Sequence, residues 1–197
     1  MLTRTIQLES MAIEMPLVSR HPNRQPFRGV LTMVDVPSDQ APSGARGRRV
    51  LLTSHAAEAA IPSLLGMGLD FTPNLDGHDA RRKVGIITSA EIKPALRMRC
   101  SQIDVAGYLF ARDFPEVVQK IRLGREVLGM SYEVTDAHVA DLRASIWTLT
   151  GVTFTGAAVL LRNKAAYRNT WIALDAEPAR ATNRGSTGRQ PLTAKRE

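Results

Sequence analysis

Two stretches carry residues that could do chemistry together. In Leu128–Val134 (LGMSYEV) a serine, Ser131, follows Gly-Met at the head of an expected strand. In Asp76-Gly77-His78-Asp79 a histidine stands in a polar turn that feeds into the apolar run VGIIT. A hydroxyl is a poor nucleophile until a base accepts its proton, and a neutral imidazole at a strand mouth can do that. The other three histidines are worse placed. His21 lies in a proline-broken lead-in and His55 at a helix start. His138 is seven residues past Ser131; on one straight strand that is roughly 23 Å, with the two side chains on opposite faces. Taken alone, Ser131 reads equally as an ordinary strand hydroxyl. The single cysteine, Cys100, excludes an internal disulfide or a cysteine metal cluster and reads as a small core residue.

The elements that must position these residues can be placed from pattern. Residues 28–36 (RGVLTMVDV) alternate as a strand does, and VLLTS at 50–54 is a second short apolar run. Ser54 is an expected cap for a helix through Ala56, Ala57, Ala60, Leu64 and Leu65, shortened or kinked by Pro62 and ended near Gly66 and Gly68. Strands are expected over Val84–Ile92, Leu96–Cys100 and Ile103–Ala111, with a bulge at Gly107. Asp113 and Glu116 have capping-box spacing, and Phe114, Val117, Val118 and Ile121 form one helical face that Gly124 can end. Then come a strand over Met130–Thr135, a turn near Ala140–Arg143 and a strand over Ser145–Phe154. The stretch LLRNKAAYRNTWIAL supplies a closing helix, strand or dimer contact, and Trp147 and Trp171 read as core or interface residues before groove residues.

Length and composition bound the rest. With 197 residues, 44% hydrophobic and 23% charged, the chain suits one globular domain. The expected division is an extended lead-in over 1–27, a single domain over 28–174 and a disordered basic tail over 175–197. No apolar run approaches the roughly 20 residues that span a bilayer, and the first residues lack a signal peptide's apolar stretch, so a cytoplasmic product is expected. The net charge of +7 sits in loops and in the tail, without any nucleic-acid readout motif, so nucleic-acid binding is not expected. The pattern amounts to a strand-rich α+β domain, or a barrel with helical insertions.

The order of segments resembles a known family. GHD with a glycine at Gly85, two strands, the helix DFPEVVQKIRLGRE, LGMSYEV and then VTFTGAAVL are similar to the prohead (capsid maturation) proteases of tailed phages, which share a fold with herpesvirus assemblins. The histidine precedes the serine by about fifty residues in that family; here 78 to 131 is 53. The resemblance covers roughly residues 28–162. It implies a β-barrel-like assemblin/prohead protease fold of mostly antiparallel strands with a few helices. It also implies Ser131 as nucleophile, His78 as general base, and an oxyanion region near Thr155 and Gly156.

The third catalytic member departs from the family pattern. Aligning on Val152-Thr153-Phe154 places Thr148 where many relatives carry an acid, and threonine cannot stabilise imidazolium as a carboxylate does. Glu133, two residues from Ser131 on the same strand face, is a local substitute; Asp79 and Asp141 are others. The implied function is a serine endopeptidase of capsid assembly. Its substrates would be scaffold and the N-terminal part of the major capsid protein, and then itself, inside assembling proheads in the host cytoplasm. The resemblance implies no metal and no cofactor, and the chain is expected to be a homo-oligomer. The alternative is a catalytically inactive capsid-associated or scaffold-like protein with the same fold.

Overall fold

A computed structural model describes residues 21–95 and 100–175. The lead-in up to residue 20, positions 96–99 of the expected strand Leu96–Cys100 and the tail from residue 176 lie outside the described residues.

The described chain is a mixed α+β structure with a curled half-barrel sheet and two α-helices. Its eight strands are β1 (Arg24–Val34), β2 (Arg49–Leu52), β3 (Gly68–Phe71), β4 (Lys83–Pro94), β5 (Ser101–Phe110), β6 (Leu128–Val139), β7 (Ile146–Leu161) and β8 (Trp171–Leu174). β7 carries the sheet. β6 pairs antiparallel along one of its edges, while β2 and β3 pair parallel along the other, at opposite ends. From β3 the ladder continues antiparallel through β4, β5, β1 and β8.

The helices follow the expected faces but not the expected caps. α1 (Ser54–Ala60) is capped by Thr53, whose hydroxyl accepts from the Ala56 amide at 3.2 Å. Ser54 instead donates its hydroxyl to Asp35. Pro62 removes a donor, and the chain tightens there into a 3-10 turn, Ile61–Leu64. α2 (Pro115–Leu123) buries Val117, Val118 and Ile121 and ends at Gly124, whose amide donates to the Lys120 carbonyl. No capping box forms. Asp113 accepts from Asn23 at 2.7 Å, and Glu116 is taken by Arg82 at 2.6 Å.

Strand ends also moved. β1 begins at Arg24, not residue 28; Pro26 is tolerated within it, and its carbonyl accepts from the Asp175 amide. Asp175, the last described residue, also makes a 2.9 Å ion pair with Arg28. The irregularity expected at Gly107 lies across from it, where the β4 register shifts between Ile87 and Ser89. β7 runs to Leu161, and β6 runs from Leu128 to Val139. The core gathers Phe27, Leu31, Leu52, Leu69, Phe71, Ile87, Ile103, Met130 and Phe154, all essentially buried. Each such side chain contributes about 1.5–3 kcal/mol by leaving water.

Candidate active site

Register alone brings the chemistry-bearing residues onto one face. Ser131 of β6 stands opposite Ala158 of β7; Ala158 stands opposite Asp70 of β3, and Asp70 opposite Lys83 of β4. Residues paired across a sheet point to the same side. Ser131, Ala158, Asp70 and Lys83 therefore form one row across four strands. The neighbouring residues Met130, Tyr132, Ala157, Val159, Leu69 and Phe71 point to the other face and join the core. Two inter-strand spacings of about 4.7–4.9 Å separate the Ser131 and Asp70 backbones. The small side chain of Ala158 leaves the gap between them open.

His78 comes from the turn between β3 and β4 and lies over this row. Its Nδ1 is 3.6 Å from Asp70 Oδ2 and 3.6 Å from Glu133 Oε1. Both are ion-pair separations, longer than hydrogen bonds, and Nδ1 is buried with no hydrogen-bond partner. Glu133 is two residues from Ser131 and faces Gly156 in the ladder. A Cβ at position 156 would stand 2.6 Å from Glu133 Oε2, so the glycine is what admits the carboxylate there.

Asp70 is fully buried, yet it is held as a carboxylate. Burial pushes its carboxyl up, but His78, the Asp79 amide and the Lys83 ammonium outweigh burial and hold it below its ordinary value. The Asp79 amide donates to Asp70 Oδ1 at 3.2 Å, and Lys83 Nζ donates to Oδ2 at 3.2 Å. Negative charge is thus fixed beside one ring nitrogen of His78. A neutral imidazole with its proton on Nδ1, toward the carboxylates, keeps the Nε2 lone pair as an acceptor, which is the tautomer a general base requires.

His78, Ser131, Glu133 and Thr155 line one cleft of about 770 Å³ that continues past Val139 and Leu142 to Trp147. The loop Gln40–Arg46 forms its opposite wall. Trp147 is fixed there, its indole donating to the Leu142 carbonyl at 3.2 Å and its ring under the Arg48 guanidinium at 5.4 Å. Thr155 occupies a break in the ladder. Glu133 pairs with Gly156 and Val134 with Phe154, so Thr155 is the extra residue of a bulge. It also falls in the gap between β2 and β3 on the other edge. Bulges beside a cleft re-aim groups that a regular ladder would consume.

The remaining sequence candidates fall elsewhere. Thr148 pairs with Leu51 at the far end of β7, and its carbonyl accepts from Ala140. Asp79 accepts from the Arg81 amide and Asp141 from the Arg143 amide, each closing its own turn. His138 is exposed and faces Gly151. Trp171 pairs with Val30 on β1. Asp70 was absent from the sequence candidates. Its signal is an acid between two core residues, Leu69 and Phe71, in a strand of only four residues.

No family model, curated protein or solved structure matches the chain.

Proposed function

We propose that the chain is a serine endopeptidase of the phage prohead type, with an assemblin-like fold. The observation that carries this reading is His78 between two carboxylates in the cleft that Ser131 lines. Ser131 Oγ attacks the scissile carbonyl carbon while its proton passes to His78. Asp70 and Glu133 stabilise the imidazolium, which then protonates the leaving amine; water repeats the steps to free the acyl group. The bulge at Thr155 and Gly156 supplies amide donors for the tetrahedral oxyanion. Asp70 and Glu133 take the role that Thr148 cannot fill.

The partners under this reading are scaffold and the N-terminal segment of the major capsid protein, with self-cleavage to follow, in homo-oligomers within proheads of the host cytoplasm. These chemical steps need no metal or cofactor. Co-expression with the capsid protein of the same genome tests the reading, comparing wild type with Ser131→Ala and His78→Ala. Processing by wild type alone is expected. Equal processing by all three sinks the protease assignment and leaves the inactive, scaffold-like alternative.

A further inference from the structure

We propose that Asp70, His78 and Glu133 also form a Zn²⁺ site, entered from the cleft, whose filling switches hydrolysis off. The switching half rests on the protease reading above; the metal site does not.

The geometry suits a metal better than it suits hydrogen bonds. One ligand atom from each of the three residues lies within 4.8 Å of the other two. The two separations from Nδ1 are 3.6 Å. Tetrahedral zinc with bonds near 2.0–2.1 Å sets its ligand atoms about 3.3–3.4 Å apart, so each Nδ1 separation need close by only a few tenths of an ångström, with the two carboxylate oxygens, already within 4.8 Å of each other, drawn in around the ion. A hydrogen bond from the single Nδ1–H to either carboxylate would require a larger contraction of that separation. Nδ1, buried and without a hydrogen-bond partner, supplies the nitrogen ligand. One imidazole and two carboxylates match zinc's ligand preference, and the open cleft leaves its fourth position to water. The Asp79 amide, donating to Asp70 Oδ1, orients the first carboxylate from behind, as outer partners of metal ligands do.

Lys83 is the built-in competitor. Its ammonium lies 3.2 Å from Asp70 Oδ2, the oxygen nearest His78. Its side chain is 35% exposed and can swing toward solvent. The ammonium holds the unfilled site together, and zinc must displace it.

The switch follows from proton bookkeeping on one ring. Zinc takes the Nδ1 lone pair, so the single proton of the neutral imidazole moves through solvent from Nδ1 to Nε2. Nε2 then becomes a donor, and His78 cannot accept the Ser131 proton.

The test uses the purified full chain titrated with ZnCl2 by calorimetry, and with CoCl2 followed by visible absorption. One equivalent of metal is expected. Binding should weaken at least about tenfold in His78→Ala and in Glu133→Gln, stay unchanged in Ser131→Ala, and tighten in Lys83→Met. Circular dichroism checks that each variant is folded. Zinc should also slow labelling of Ser131 by a fluorophosphonate, and chelator should restore it. Absence of stoichiometric binding by wild type, or equal binding by folded His78→Ala and Glu133→Gln, overturns the site. Binding as expected without any labelling of Ser131 supports the site and overturns the switch together with the protease reading. Labelling that zinc leaves untouched overturns the switch alone.

Discussion

Replacing Gly156 by alanine should separate activity from stability. The added methyl would stand 2.6 Å from Glu133 Oε2, and restoring ordinary contact requires a displacement of about 0.7 Å. The obstructing atom is the tip of a side chain that is 40% exposed, not backbone, so the carboxylate yields rather than the sheet. Turning it off its rotamer costs about 0.5–1.5 kcal/mol. Alanine in a strand recovers about 0.5–1 kcal/mol over glycine. The two nearly cancel, and Tm should stay within about 4 °C of wild type. The 3.6 Å separation between Glu133 and His78 changes by a comparable fraction of an ångström, a misplacement that costs about 10–100-fold in rate when catalytic geometry depends on it. The assay is the second-order rate of Ser131 labelling by a fluorophosphonate, which needs no knowledge of the natural substrate. Glu133→Gln is the reference for complete loss of that charge. A wild-type labelling rate in folded Gly156→Ala would falsify the role given to Glu133. Unfolding of the variant would refute the steric reasoning itself.

Three further outcomes follow from the same contacts. Asp70→Asn should lower stability by about 1–3 kcal/mol at neutral pH by weakening the contacts to Lys83 and Asp79, a range already allowing for the exposure of Lys83. Because the folded state depresses the Asp70 carboxyl, its stabilisation is present above the ordinary value of 3.8 and lost as pH falls through the lower folded value. The variant should therefore show a shallower decline in acid denaturation, and an unchanged acid slope contradicts this. Burial, partly offset by Thr32, pushes the Tyr132 phenol up to about 12, and burial drives Tyr167 higher still. Their neutral forms contribute stability that is lost as pH rises past 10, so absorbance titration should show both ionising only with alkaline unfolding. Early titration of all three tyrosines counts against the fold. Thr170→Val removes the buried hydroxyl that accepts from the Met130 amide at 3.1 Å, and should cost about 1–3 kcal/mol in a denaturant melt.

Some of the candidate site was legible in the chain, and the rest was hidden for identifiable reasons. Ser131 and His78 stood out because each occupies a short polar context at the edge of an apolar run. Glu133 followed from strand parity, which is local. Asp70 could not, since its place beside His78 depends on the parallel pairing of three residues with β7, nearly ninety positions later. Thr148 was found by counting along a strand, and counting says nothing about which end of a sixteen-residue strand the histidine turn reaches. Strand and helix faces were readable because periodicity sets them. Caps were not, because Asp113 and Ser54 had tertiary partners, Asn23 and Asp35, that outbid the local amides.

The pairing of both β6 and β3 with Ala158 has a consequence for when the site comes into being. Ser131 and Asp70 have no strand in common except β7, which follows both in the chain. While β7 is still unmade or unfolded, no ladder sets the serine and the buried acid on one face, however well the earlier segments have formed. The long-range closures that β7 requires are the slow ones in folding. A chain still being synthesised therefore lacks the row that sets Ser131 beside Asp70 until nearly all of the domain is in place.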